Sequence, residues 1–220
     1  MEKVISKDAT TTKSVTAISQ TAARLSFAAA AMSLVLLAAL HVLSPELDPS
    51  WRMVSEYASG NYGWVLALMF LSMALSCVAL FFAIKSQVQT IGGKIGLGFL
   101  LAAAVGLSMA AIFDFNHDLH GLSAMIGIPS LPIAAMLISV SLVRNQVWSS
   151  ARRSLLWTAN LTRISLVVMF ATLFIGLSQS GGEFGPDVPI GWPNRLLMLA
   201  YGGWLMVVAW RAAQLQRKTL

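Results

Sequence analysis

The chain has 220 residues, 57% of them hydrophobic and only 11% charged, with a mean hydropathy of +0.73. Soluble domains carry roughly 25% charged residues, so composition alone excludes an ordinary soluble domain and points to a polytopic membrane protein. The net charge of +6 is not a nucleic-acid signature, because the cations cluster beside the apolar runs, where anionic lipid headgroups are their partners. Cys77, the single cysteine, lies inside an apolar run, which leaves no disulfide and no thiolate metal site.

The first stretch is a polar, Ser/Thr-rich leader with Lys3, Lys7, Lys13 and Arg24. The apolar run after it ends in SPELDPS, without the small-residue cleavage pattern of a signal peptide, so it is expected to stay as a membrane helix. Against the ~20 residues needed to cross a ~30 Å hydrocarbon layer, six runs qualify: Thr21–Leu43, Gly63–Ile84, Ile95–Phe113, Leu122–Val143, Leu161–Ser178 and Leu196–Ala213. The fifth is the weakest, since Asn160, Thr162 and Arg163 intrude at its start; without it the count falls to five. Residues 1–20 are read as a flexible cytoplasmic leader, 21–213 as an all-α, six-span transmembrane bundle, and 214–220 as a cytoplasmic tail.

Within the bundle, Gly98, Ala102, Gly106 and Ala110 recur every four residues on the third span. Such a stripe lets two backbones approach in lipid, which predicts a central third helix. Pro129 and Pro132 each remove an amide donor from the fourth span and predict a kink or a break there. No internal repeat is evident, so the inverted-repeat signature of many transporters is missing.

Charge sorts by side. Thirteen of the fifteen Lys and Arg fall at one side, and Arg52 and Arg195 alone at the other. The positive-inside rule then places both termini in the cytoplasm of an inner-membrane protein. Glu46, Asp48, Glu56, Asp114, Asp118, Glu183 and Asp187, with His41, His117 and His120, gather at the outer ends. Every side chain fit for acid–base or metal chemistry is therefore expected at one face.

Three outer segments carry that chemistry. In 41–64, Tyr57, Tyr62 and Trp64 suit interface anchors, while Glu56 is an acid near the apolar boundary that needs a partner or a role. Arg52, four residues earlier, supplies an ion pair if the segment is helical. The hairpin Asp114–His120 offers oxygen and imidazole donors in a D-x2-H-D-x-H pattern that suits zinc or another divalent ion, with Asp114, His117 and His120 as ligands. His41 and Glu56 complete such a site if spans one and three pack together. The Gly/Pro-rich GGEFGPDVPIGWP leads into the sixth span, where Arg195 either pairs with an outer acid or holds an anionic headgroup or carboxylate.

The motifs H-x2-S-P-E-L-D-P, S-E-Y-A-S-G-x-Y-G-W, the F-D closing span three, H-G opening span four and G-x-x-x-R before span six resemble the bacterial domain of unknown function family 998. The resemblance covers most of the chain after Arg24 and is densest from Ser55 to Trp64. It implies a six-span membrane domain and no settled activity. The family's usual link between the acid after span three and the His opening span four is longer than the Asp114–His120 link here. A weaker likeness, to the ceramidase and adiponectin-receptor metal hydrolases, extends to acids and histidines at one face but lacks their H-x3-H pair.

Three functions follow from these residues. The first, leaning away from an enzyme, is a non-catalytic membrane module that binds a lipid or small amphiphile, or senses and scaffolds, through its outer face. Its ligand-binding candidates are His41, Ser55, Glu56, Tyr57, Asp114, His120 and Arg195. The second is a metal-assisted hydrolase of a lipid or amide headgroup, with His41, His117 and His120 holding a divalent metal and Glu56 as general base. The third is a transporter, disfavoured by the scarcity of intramembrane charge. Membrane lipids are the expected partners; no other cofactor, no nucleic acid and no particular oligomer is implied.

Overall fold

A computed structural model describes residues 2–217, with side chains from Gln20 to Leu215. The expected flexible leader therefore lies almost wholly outside the fully described residues, as does most of the expected tail. Six α-helices follow one another: α1 (Glu2–Leu43), α2 (Gly63–Ile84), α3 (Ile91–Ile112), α4 (His120–Leu142), α5 (Arg152–Gln179) and α6 (Gly191–Arg217). Two short 3-10 helices, Val54–Ser59 and Gln146–Ala151, lie between α1 and α2 and before α5. All six α-helices contain a stretch long and apolar enough to cross a membrane. At 1.5 Å per residue, the 22 residues of α2 make about 33 Å, which matches the hydrocarbon layer. Because the number of spans is even, both ends of the helical core share one side.

Each helix packs on its neighbour in sequence, and α6 returns to α1, so the bundle is a closed ring. The helix that also reaches across the ring is α6, to α2 and to α4, and not α3. The expected small-residue stripe accounts for this difference. A strict four-residue repeat turns by about 40° per step around a 3.6-residue helix, so its two ends cannot both face one partner. Gly98 indeed has nothing near its Cβ position, whereas Gly106 meets Gly127 of α4 backbone to backbone, with a Cβ placed there only 2.5 Å from the Gly127 Cα. Gly93 and Gly96 extend the α3–α4 seam against Ser141, Leu137 and Ile138.

In hydrocarbon there is no hydrophobic drive between helices, so side-chain hydrogen bonds and close packing hold the ring. Ser26 of α1 and Ser76 of α2 exchange bonds with each other's carbonyls at 3.0 and 2.8 Å. Trp204 Nε1 donates to Ser139 Oγ at 3.0 Å, tying α6 to α4. The polar residues that weaken the fifth run find partners along their own helix: Thr162 bonds the Ala159 carbonyl and Asn160 the Leu156 carbonyl, while Arg163 bonds Asn160.

The prolines of α4 do not break it; the helix runs on through Pro129 and Pro132. Pro132 cannot supply the N–H that the Ile128 carbonyl would accept. Tyr201 of α6 donates its hydroxyl to that carbonyl instead. A neighbouring helix thus replaces the missing backbone donor, which is how a membrane helix tolerates proline. Tyr201→Phe keeps the ring and orphans the carbonyl, an expected cost of about 1–3 kcal/mol. Gly106→Ala forces two backbones apart at an expected cost of about 1–3 kcal/mol. Thermal unfolding in detergent measures both, and a midpoint unchanged in either variant contradicts this account of the α3–α4–α6 packing.

Candidate functional site

The segment between α1 and α2 is folded back across the end of the bundle as a lid. Pro45 and Pro49 keep its first half from being helical, and Asp48 closes a turn by accepting the Ser50 N–H at 2.8 Å. That bond, the Ser50 hydroxyl and the charge of Arg195 hold the Asp48 carboxyl below its ordinary range, so the turn keeps its charged acceptor throughout the neutral range. The lid then docks on the start of α6. Gly191 N donates to Ser50 O at 3.1 Å. A Cβ on Gly191 would collide with the Pro49 carbonyl oxygen and lie 2.8 Å from the Ser50 carbonyl carbon, so only glycine fits this crossing.

Arg195, in the first turn of α6, is 3% exposed and forms the hub of this arrangement. Its Nε donates to His41 Nε2 at 2.6 Å, Nη1 to the carbonyls of Arg52 and Gly191 at 2.7 and 3.0 Å, and Nη2 to the Tyr57 hydroxyl at 3.0 Å. His41 Nδ1 lies 2.7 Å from the Leu37 carbonyl, which only accepts, so the proton sits on Nδ1 and the lone pair on Nε2 faces the guanidinium. The expected pairing of Arg195 with an outer acid is not what forms. Among the described residues no carboxylate lies within 4 Å of it. Neutral acceptors from α1, the lid and α6 surround the cation instead.

The buried acid of the lid is engaged elsewhere. Glu56, 4% exposed, pairs with Arg52 at 2.6 Å, as the i,i+4 spacing predicts, and accepts the Met53 N–H at 2.8 Å. It therefore caps the 3-10 helix that forms the middle of the lid. Arg52 in turn lies 4.0 Å above the Trp51 ring.

On the other side of the same segment lies a cavity of about 170 Å³ inside the ring. Met53, Val54 and Ser55 cover it; Phe70, Gly106, Ala110, Ala124, Gly127, Leu131 and Met198 supply apolar wall, with His120, Ser123, Asn194 and Tyr201 as polar points. Asn194, next to Arg195 but turned away from it, accepts the Val54 N–H at 2.9 Å and fixes the roof. Tyr201 lies ten residues into α6, so the cavity reaches about 15 Å down, near mid-membrane.

His41, Tyr57 and Arg195 thus meet at the hub, Glu56 joins Arg52 within the lid, and Ser55 and His120 both line the cavity. Asp114 and His117 join neither: both are exposed, Asp114 accepting Asn116 N and His117 Nδ1 accepting Leu119 N within the hairpin. The condition for a shared His41–His120 site was α1 against α3, yet α1 packs on α2 and α6, and α3 on α2 and α4. Among the described residues no group of three or more His, Cys, Asp or Glu gathers. Sequence reasoning missed Asn194 and Tyr201; the one available signal was a Pro in span four needing a donor from a neighbour.

The model of the protein of unknown function family DUF998 matches residues 27–211, nearly the whole bundle and both features of this face. The chain belongs to the DUF998 family. Neither a curated protein nor a solved structure matches it. This DUF998 chain is a multi-pass membrane protein by its six apolar helices, and its matched region includes the lid, the hub and the cavity.

Replacing Arg195 tests the hub. Arg195→Leu removes the four bonds that the guanidinium donates and is expected to cost on the order of 3 kcal/mol. Arg195→Lys keeps the charge but not the planar fork, so it recovers only part of that loss. Arg52, 39% exposed, forms a screened pair, and Glu56→Gln, which keeps an acceptor for Met53 N, is expected to cost under about 1 kcal/mol. The ranking is read from thermal midpoints in detergent, and Glu56→Gln proving more harmful than Arg195→Leu refutes it.

Proposed function

We propose that this DUF998 protein is a non-catalytic inner-membrane module that holds a small amphiphile, or the end of one lipid chain, in the cavity beneath its lid. The observation that carries the reading is the cavity itself, an apolar chamber running from the loop face toward the bilayer centre. Its volume limits the occupant. An engineered apolar cavity of about 150 Å³ stays dry and takes up benzene, whereas sites for drug-sized ligands run from about 300 Å³. The chamber of about 170 Å³ suits one ring or a short length of chain, and excludes a whole two-chain lipid.

The surroundings support binding over catalysis. Glu56, the candidate general base, is engaged by Arg52 and the Met53 amide. The hub fixes the lid over the chamber, which preorganises it for an occupant. The lid belongs on the outer side: thirteen of the fifteen Lys and Arg lie at the other end, which by the positive-inside rule is cytoplasmic and holds both termini.

Two measurements test this. In native mass spectrometry the detergent-extracted protein is expected to carry a small bound adduct that Ala124→Phe, which fills the chamber, removes without lowering the thermal midpoint. Wild-type protein free of adduct, or an adduct indifferent to Ala124→Phe, overturns the binding reading. For topology, a fluorescent protein fused after Leu220 is expected to be bright, and alkaline phosphatase inserted at Gly182 active. The reverse pattern places the lid in the cytoplasm.

A further inference from the structure

We infer that the occupant of the cavity is uncharged and carries a hydroxyl group on an otherwise apolar body. This deepens the binding reading above and rests on it. The argument is one of hydrogen-bond valence. His120 Nδ1 lies 3.0 Å from the Phe113 carbonyl oxygen, which can only accept. Nδ1 therefore carries a proton, and in the neutral tautomer that this bond selects Nε2 presents a lone pair. Tyr201 gives its one proton to the Ile128 carbonyl, and its oxygen keeps the capacity to accept. Asn194 Oδ1 is occupied by Val54 N and its amide nitrogen reaches Met169 Sδ at 3.5 Å, leaving one N–H over. The Ser55 hydroxyl has no hydrogen bond among the described residues and is open as donor and acceptor.

The lining therefore offers lone pairs and two donors, and no Asp, Glu, Lys or Arg. A carboxylate or ammonium here would enter an apolar chamber with no counter-charge, the costliest kind of burial. A pure hydrocarbon would fit by shape but leave the polar points unanswered. An alcohol, with one donor and two acceptor lone pairs, answers both His120 Nε2 and Ser55. Both side chains line the same chamber.

The test uses full-length protein in micelles with benzyl alcohol, toluene and benzoate as probes. Ligand-observed NMR gives each affinity, referred to the probe concentration in the micelle phase, after subtracting the signal from the filled variant Ala124→Phe. Benzyl alcohol is expected to bind about fivefold more tightly than toluene, the worth of one net hydrogen bond. Benzoate is expected not to bind. His120→Phe keeps an aromatic ring and deletes the lone pair, and is expected to bring the alcohol-to-toluene ratio close to one. Ser55→Ala, on the lid, is expected to lower the same ratio and serves if His120→Phe does not fold. Toluene matching the alcohol, or a ratio unmoved by both variants, overturns the hydroxyl assignment and leaves the cavity a binding site. Benzoate binding most tightly overturns the requirement for no charge. Failure of all three probes to bind wild-type protein overturns the binding reading itself.

Discussion

A buried cation without an anion is the constraint on which the loop face depends. In an apolar setting a guanidinium cannot be left unsolvated. Arg195 is solvated by four acceptors from α1, the lid and the start of α6. No two of these segments satisfy it alone. The lid therefore cannot lift without exposing lone pairs and donors together, and α1 and α6, the first and last spans, are joined where the ring closes. Gly191 has to be small for the same reason, since any side chain there would push the lid off the helix that carries the arginine.

The ring interior solves a related problem with neutral groups. Pro132 leaves a carbonyl that only another helix can satisfy, and Tyr201 reaches across to it. That bond stands beside the Gly106–Gly127 crossing, and both line the cavity. The chamber exists because small residues on α3 and α4 let backbones meet and leave no side chains to fill the space beside them. Ile128, whose carbonyl the proline leaves free, the tyrosine and the glycines are thus parts of one wall.

What the sequence made legible follows from range. Six spans could be read because a helix satisfies its own backbone and hydropathy marks its length. Arg52–Glu56 could be read because both residues sit on one turn. The hub could not: His41 and Arg195 are 154 positions apart, and nothing local says that a histidine presents a lone pair to an arginine. The acids gathered at that face made an ion pair with Arg195 the natural expectation, yet six of the seven are exposed and the seventh is held by Arg52. The four-residue stripe failed at Gly98 because exact spacing in sequence is not constant direction on a helix. The cavity was hidden for another reason, being a consequence of side chains that are not there.

The lid segment 52–57 also separates two kinds of chemistry. Its Arg52 carbonyl and Tyr57 hydroxyl face the cation, while Met53, Val54 and Ser55 face the chamber. Asn194 and Arg195, adjacent on α6, repeat the division by holding opposite sides of it. One turn of 3-10 helix is thus the wall between a charged hub and an uncharged cavity. The donors of the hub are already taken by protein groups, so it fixes the roof and has no hydrogen bond left for an occupant. Selectivity in the chamber is left to shape and to the few neutral polar points that line it, which is the regime in which one hydroxyl more or less decides what binds.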